Sequence, residues 1–484
     1  MQTLENLIDG KWIPAQSGET FQVINPASSE TIAAAAKSSE ADVDSAVRAA
    51  RDAFDNGPWP KMRASERARK LFDLAELIRE HLEEIARTES LNVGKPIRDS
   101  RDEVSAGADS FEYYAGAATK FFGETIPVTN KGFDFTLHEP CGVCAIIVPW
   151  NFPFAMATWK SAPALATGNT VILKPASYAP MSAIHLARLT IEAGIPKGVF
   201  NLVTGPGVDA GAALVAHPGV DKISFTGETA TGSLIMKSAA DGIRRVSLEL
   251  GGKSPNIVFA DADVEKAARS SVLAVFGNCG QDCCARSRAF VEQSVYDQFV
   301  DAFIDQTTKT VVGNPLDEST DIGPMISAHQ RDTVCGYIAD GESEGATLAY
   351  GGDVMKDERR KGGFYMNPAV FTGATNAMRI SREEIFGPVL SVIPFSNEEA
   401  MIGEVNATPY GLSGSIWTRD LNRAFRMVSK VRSGVLSVNS NNSVHLEAPF
   451  GGYKQSGFGR DMGMNALANF TEVKNVFIYL GDEA

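Results

Sequence analysis

Short apolar runs at 143–148, 171–174, 200–203, 223–225 and 246–250 alternate with stretches of helical spacing. A strand buried on both faces reads as an unbroken apolar run, and parallel neighbours need a crossover long enough to hold a helix. The alternation therefore predicts an open parallel sheet flanked by helices, an α/β fold. One unit is legible in detail. Val171-Ile172-Leu173-Lys174 leads through a helix at 182–193, stopped by Gly194 and Pro196, into Val199-Phe200-Asn201-Leu202-Val203. Such a β-α-β crossover has a nucleotide-binding look.

A second series starts after Gly252, with Asn256-Ile257-Val258-Phe259, then a helix at 264–276 and a loop that delivers Cys283. Nearer the N-terminus, Ser39-Glu40-Ala41-Asp42 reads as a capping box, and Val43, Ala46, Val47, Ala50 and Phe54 follow at helical spacing. One amphipathic helix is expected over 65–90, with Leu71, Leu74, Leu77, Ile78, Leu82 and Ile85 on one side. At 484 residues the chain exceeds one ordinary core, so two large domains and a smaller element are expected.

Charge narrows the partners. Lys+Arg 45 against Asp+Glu 59 gives −14, with no basic block to neutralise phosphates, which argues against nucleic acid and anionic membrane. No apolar run reaches the roughly 18 residues of a membrane span, and the first residues, Met1-Gln2-Thr3-Leu4-Glu5-Asn6, lack an export pattern. Six cysteines are too sparse for a disulfide framework. A reducing compartment, the cytoplasm, is expected.

Two motifs carry chemistry: Glu249-Leu250-Gly251-Gly252-Lys253-Ser254-Pro255 and Gly280-Gln281-Asp282-Cys283. A carboxylate base beside a nucleophilic sulfur is equipment for covalent chemistry on a carbonyl. Cys141-Gly142-Val143-Cys144 is a single CxxC without a second pair or a nearby histidine, so zinc is not expected and the two sulfurs fill space. Cys279 and Cys284 are read as thiols neighbouring a catalytic cysteine, and no metal site is assigned.

The ELGGKSP and GQxC segments are joined by Val148-Pro149-Trp150-Asn151-Phe152-Pro153, by Glu384-Ile385-Phe386-Gly387-Pro388-Val389 and by Pro449-Phe450-Gly451-Gly452. Together, in this order, they resemble the aldehyde dehydrogenase superfamily, over nearly the whole chain from Ile8-Asp9-Gly10-Lys11-Trp12 to Phe470-Thr471-Glu472-Val473-Lys474. The resemblance implies three parts. These are a Rossmann-like cofactor domain (1–121 and 141–251), an α/β catalytic domain (252–469), and a small β element (122–140 and 470–484) docking on a neighbouring subunit of a homodimer or homotetramer. It implies oxidation of an aldehyde to the acid with NAD or NADP. Cys283 would attack, the Asn151 amide and the Cys283 N–H would hold the oxyanion, hydride would leave to the nicotinamide, and Glu249 would activate water against the thioester. Lys160 and Asp461 match a proton relay, with an aspartate where a glutamate is usual. Coenzyme A-dependent acylating members generally lack the base at position 249, so Glu249 favours hydrolysis. That acylating branch and a non-catalytic member of the fold are the alternatives.

For the cofactor, Gly205-Pro206-Gly207 departs from GxGxxG spacing. The stronger signal is Phe225-Thr226-Gly227-Glu228-Thr229-Ala230-Thr231-Gly232, a strand running into a helix N-terminus. Glu228 stands where serine is frequent and is expected to point away from a pyrophosphate. By resemblance, Trp150 and Leu250 border the site, Lys174 meets the adenosine ribose, and Glu384 and Phe386 meet the nicotinamide half. Ser177 replaces a glutamate usual in NAD-preferring relatives, removing a repulsion against a 2′-phosphate, so NADP acceptance is expected. Resemblance also places Phe152, Met156, Trp159, Phe276, Asn442, Val444 and Phe450 around the aldehyde tunnel. The 439–447 loop has no arginine but ends in Glu447, which favours a cationic tail. An aminoaldehyde leads, with aromatic or aliphatic aldehydes close behind.

Overall fold

The computed structural model describes residues 2–358 and 360–481. Its first sheet has eight strands, in the order Gly457–Phe458, Arg245–Glu249, Lys222–Thr226, Val143–Ile147, Thr170–Lys174, Phe200–Leu202, Asn6–Ile8, Lys11–Ile13. The strands from Arg245–Glu249 to Phe200–Leu202 are parallel and correspond to the apolar runs. Val143–Ile147, Thr170–Lys174 and Lys222–Thr226 are buried at every position, the apolar runs together with the polar residues Thr170, Lys174, Lys222, Ser224 and Thr226. Antiparallel pairs close both sides, Leu202 with Leu7 and Glu249 with Gly457. The crossover helix is Met181–Glu192, and Gly194 follows it at φ 70° as the left-handed stop.

The second sheet has seven strands, in the order Thr347–Gly351, Ala369–Thr372, Val389–Phe395, Arg288–Glu292, Pro255–Val258, Ser413–Trp417, Val435–Val438. All pairs are parallel except that of the edge strand Thr347–Gly351. From Pro255–Val258 the chain enters the helix Val264–Phe276, started by Asp263, whose side chain accepts the Lys266 N–H. After Phe276, Asn278 and Cys279 adopt left-handed φ of 50° and 56°, and the chain turns towards Cys283. A third, antiparallel sheet joins Thr125–Ile126, Gly132–Pro140 and Thr471–Tyr479, in register from Thr471 opposite Pro140 to Tyr479 opposite Gly132.

Several details depart from expectation. The 65–90 helix is two helices, Ala64–Glu80 and Leu82–Val93, because His81 leaves the helical region at φ −99°, ψ 14° and re-aims the apolar stripe. In the helix Glu40–Asp55, Ala53 rather than Phe54 completes the buried stripe. A small sheet of Gln2–Leu4, Thr31–Ala36 and Thr20–Ile24 is an addition. The strand Gly457–Phe458, counted above with the catalytic part, pairs with the first sheet. Residues 482–484 of the terminal element lie outside the described residues. No described helix is long and apolar enough to cross a membrane.

Candidate active site

The site is built at the carboxyl ends of parallel strands, where a doubly wound sheet opens its crevice. Asn151 follows Val143–Ile147, Thr226 ends Lys222–Thr226, and Glu249 ends Arg245–Glu249. From the other side comes the Cys283 loop. Two motif glycines let it approach. A Cβ on Gly252 would lie 2.2 Å from the Cys283 carbonyl oxygen, and one on Gly280 would lie 2.3 Å from the Gly387 backbone. These contacts explain why the ELGG, GQxC and EIFGP segments carry glycine there.

Asn151 is 5% exposed, and its Nδ2 donates to the Gln281 carbonyl at 2.9 Å. Asn278 Nδ2 returns a bond to the Asn151 carbonyl at 3.0 Å, and the Ile326 N–H donates to Gln281 Oε1 at 2.8 Å. One Asn151 N–H is used in this lock, which leaves the second as a donor for an oxyanion. The locking roles of Gln281 and Asn278 were not read from the sequence. The left-handed residues 278 and 279 are not themselves glycine, although Gly277 and Gly280 flank them and Gly280 continues the turn at φ 67°.

Cys283 is half-buried, and a hydrogen bond with the Cys284 thiol, together with burial, pushes its own thiol well above the ordinary range. Glu249 is 4% exposed and its Oε2 has no hydrogen-bond partner, so burial, reinforced by the Asp461 charge, pushes it well above the usual carboxylate range. A carboxyl with raised basicity suits a base that takes a proton from water. Lys160 and Asp461, both buried, form an ion pair at 2.6 Å, so the shorter aspartate arm still reaches. The sulfur and carboxylate ligand atoms of Asp282, Cys283 and Cys284 lie within 4.8 Å of one another. Cys279 and Cys144 belong to the apolar cores instead.

A cleft of about 580 Å³ runs from Cys283 past Asn151, Trp150, Thr226, Gly227, Leu250, Glu384 and Phe386. Its residues fit a dinucleotide. Thr226 Oγ1 is buried without a partner, and the helix Thr229–Ala240 has no side-chain cap on its first-turn amides, so a pyrophosphate has donors waiting. Glu384 accepts the Gly252 N–H at 2.9 Å and is raised by burial to about 7. Trp150 and Phe386 stand edge to face at 5.2 Å. Phe225 is buried in the strand below, and a Cβ on Gly232 would press on Leu250 at 2.7 Å. Lys174, Ser177 and Gly207 fall outside this cleft. Lys174 ends the neighbouring strand, lowered by burial to about 8, and lies beside the 207–211 turn, while Ser177 is half-buried in the next turn. Glu228 departs from expectation. It is exposed but lines the cleft, near enough for its charge to raise Glu384, because as first residue before the helix it cannot turn far from the opening.

On the opposite side a cavity of about 820 Å³ is lined by Tyr113, Trp159, Val444, Leu446, Glu447 and Met462, among others. Trp159, Val444, Leu446, Phe450 and Met462 pack with Cys283 and Cys284 in one cluster, so apolar lining is continuous from the sulfur to this mouth. Tyr113, Leu446 and Met462 were missed; Tyr113 lies far from any motif, while Leu446 sits in the 439–447 loop and Met462 directly follows Asp461. Four expected pocket residues sit elsewhere. Phe276 is fully buried against Phe303, at 5.6 Å between rings, because its helix turns it into the second core. Met156 packs into the first core, Phe152 rests on Lys95, and Asn442 is exposed, its N–H donating to Ser440 Oγ.

Comparison with known proteins agrees with this geometry. Residues 12–476 match the model of the Aldehyde dehydrogenase family. The aldehyde dehydrogenase of Emericella nidulans is 43% identical over 482 residues, 99% of this chain and 96% of that one. The betaine aldehyde dehydrogenase of Bacillus subtilis is 43% identical over 478 residues, covering 98% and 97%. The structure of the NAD+ complex of an aldehyde dehydrogenase from Bacillus cereus superposes with a TM-score of 0.97 at 43% identity, covering 99% of this chain and 97% of that one. With its motifs, two-sheet fold and near-complete coverage in agreement, the chain belongs to the aldehyde dehydrogenase family, and it is an oxidoreductase.

Proposed function

We infer that Cys283 and Glu249 carry a hydrolytic, NAD(P)-dependent oxidation of an aldehyde to its carboxylic acid. One observation supports this above the others. Cys283 lies where a dinucleotide-sized cleft meets an apolar tunnel, with Asn151 lining the cleft and Glu249 buried nearby. The Cys283 thiol passes its proton to solvent in the cleft and the thiolate bonds to the aldehyde carbon as the carbonyl electron pair moves to oxygen, where the free Asn151 N–H with the Cys283 N–H stabilises the negative charge. Trp150, Thr226, Glu384 and Phe386 would hold the dinucleotide, which when bound supplies the hydride acceptor. Glu249 then takes a proton from water as the water oxygen bonds to the thioester carbon and the Cys283 sulfur leaves, and the Lys160–Asp461 pair is the route by which that proton departs from the base. Nicotinamide reduction without coenzyme A, across a panel of aldehydes, tests the reading. Turnover only with coenzyme A would move the enzyme to the acylating branch.

Ser177 supports use of NADP beside NAD, since no carboxylate stands there to repel a 2′-phosphate. Ser177→Glu is expected to raise the KM for NADP by about tenfold or more while changing that for NAD less. An unchanged NADP KM would remove Ser177 from cofactor selection.

Glu447 supports an aminoaldehyde. It is exposed at the tunnel mouth with no ion pair or hydrogen bond among the described residues, and Trp159 and Tyr113 line the same cavity. Burial, with the Glu447 charge, raises the Tyr113 hydroxyl, so the two side chains sense each other. A carboxylate beside aromatic rings suits an ammonium group. Glu447→Gln is expected to raise the KM for 4-aminobutanal roughly three- to tenfold and leave that for hexanal unchanged. Equal changes for both would return the mouth to general aldehydes.

The third sheet supports assembly as a homodimer or homotetramer, because Phe133, Leu137, Phe477 and Ile478 on paired strands are all exposed. Light scattering is expected to give two or four times the chain mass. A monomer at micromolar concentration would reject this. The six unpaired cysteines support residence in the cytoplasm.

A further inference from the structure

The helix Pro153–Ala166, which carries Trp159 and Lys160, has no side chain of its own at its N-terminus. Phe152 at the capping position provides no cap, and Pro153 has no N–H. The Ala155 amide is met from outside. Glu103, on the helix Ile97–Ala117, accepts its N–H at 2.9 Å, and Glu89, on the helix Leu82–Val93, is buried close by with neither carboxylate oxygen hydrogen-bonded among the described residues. Between the two carboxylates stands Lys95. Its Nζ is paired with Glu103, lies 3.6 Å from Glu89, and sits 4.0 Å over the ring of Phe152. Lys95 is 1%, Glu89 0% and Glu103 6% exposed, so a surface role does not account for the cluster.

Burying three ionisable groups is costly unless each has partners. Here the helix N-terminus and the Lys95 ammonium group supply them to Glu103, while among the described residues Glu89 has only the Lys95 charge at 3.6 Å. The place served is specific, because Phe152 directly follows Asn151 and both faces of that step are fixed. The Gln281 and Asn278 bonds hold Asn151 from the catalytic side, and Lys95 with the two carboxylates holds Phe152 and the first helical turn from behind.

We propose that Lys95, with Glu103 and Glu89, is a positioning residue for the oxyanion donor Asn151, acting through Phe152 and the borrowed cap of the helix Pro153–Ala166. The assignment rests on the role given to Asn151 above. Loss of Lys95 leaves two carboxylates facing each other and frees the Phe152 ring, so the Asn151 amide leaves its aim while the sulfur keeps its place.

The test is a double-mutant cycle of Lys95→Met with Asn151→Ala, measured in the full-length enzyme. Lys95→Met is expected to lower kcat roughly ten- to a hundredfold, the cost of displacing a catalytic group by about an ångström. Hydrolysis of p-nitrophenyl acetate without cofactor should fall by a similar factor, because it needs the same oxyanion donor. Alkylation of Cys283 by iodoacetamide, which needs none, should keep its rate. In the Asn151→Ala background the Lys95 change should cost nothing further, and Lys95→Arg should recover most of kcat. Should Lys95→Met fail to fold, Glu103→Gln carries the same cycle, since it keeps an acceptor for Ala155 and removes the charge. Losses that multiply fully with those of Asn151→Ala, or slower alkylation of Cys283, would assign the cluster to general stability and overturn the proposal. An inactive Asn151→Ala beside a fully active Lys95→Met overturns only this inference. A fully active Asn151→Ala overturns the reading of the site on which it stands.

Discussion

Cys283→Ala is expected to abolish nicotinamide reduction, by a factor on the order of 10⁴ or more, while dinucleotide binding measured by calorimetry persists. The asymmetry follows from placement. Cys283 touches only the inner end of the cleft, whose Thr226, Glu384 and Trp150 contacts do not depend on the sulfur. No other nucleophile can replace it without rebuilding the loop. Cys284 is the internal control, since it shares the apolar cluster and its N–H is held by Asp282 Oδ1 at 2.8 Å. Cys284→Ala removes the thiol that keeps Cys283 protonated, so it should preserve turnover and shift Cys283 alkylation to lower pH. Comparable losses from both substitutions would mean that the thiols act as a pair and that the assignment of a single nucleophile is wrong.

The sheet strands were legible because parallel strands buried on both sides are apolar in most of their length, which Val143–Ile147 meets in full and Lys222–Thr226 only through Ile223 and Phe225. The break at His81 was not, since Leu77, Ile78, Leu82 and Ile85 keep a helical period across it. Residues inside short motifs were placed by resemblance, and the structure brings Cys283, Asn151, Glu384 and Phe386 to one cleft. The substrate mouth was harder. Tyr113 comes from the helix Ile97–Ala117 and Met462 from a turn near the C-terminus, and only the fold sets them side by side. Phe276 shows the converse. Its apolar character suits a tunnel or a core equally, and the direction of its helix decides for the core. The Lys95 cluster left no signature because its carboxylates come from two separate helices and meet a third only in space.

Glu249→Gln separates the two halves of the reaction. Attack on the aldehyde and loss of hydride leave a thioester on Cys283, and only its hydrolysis requires a base on water. Glutamine keeps the volume and the nearby Gly451 approach, where a Cβ would meet Glu249 Oε1 at 2.7 Å, so the pocket should stay intact. The first turnover is expected to survive as a burst of reduced nicotinamide near one equivalent per active site. Steady-state turnover should fall about 10²- to 10⁴-fold, the usual contribution of a general base. Intact mass should then show the acyl group on the protein, and a variant with neither burst nor adduct would place Glu249 in the first half instead. The pH response follows from the raised carboxyl. Glu249 works as the ionised form, so wild-type deacylation should rise with pH through its elevated value, and the thioester should accumulate below it. Stability runs the other way. A carboxyl raised on folding favours its protonated state, so the native fold loses stability as pH climbs from the unfolded value towards the folded one. Glu249→Gln removes that loss, and its melting temperature should gain on wild type as pH rises above the ordinary carboxylate range while turnover is lost. A buried base that costs the fold stability when it ionises, and that turnover cannot do without, is the pattern expected where function rather than packing has placed the residue.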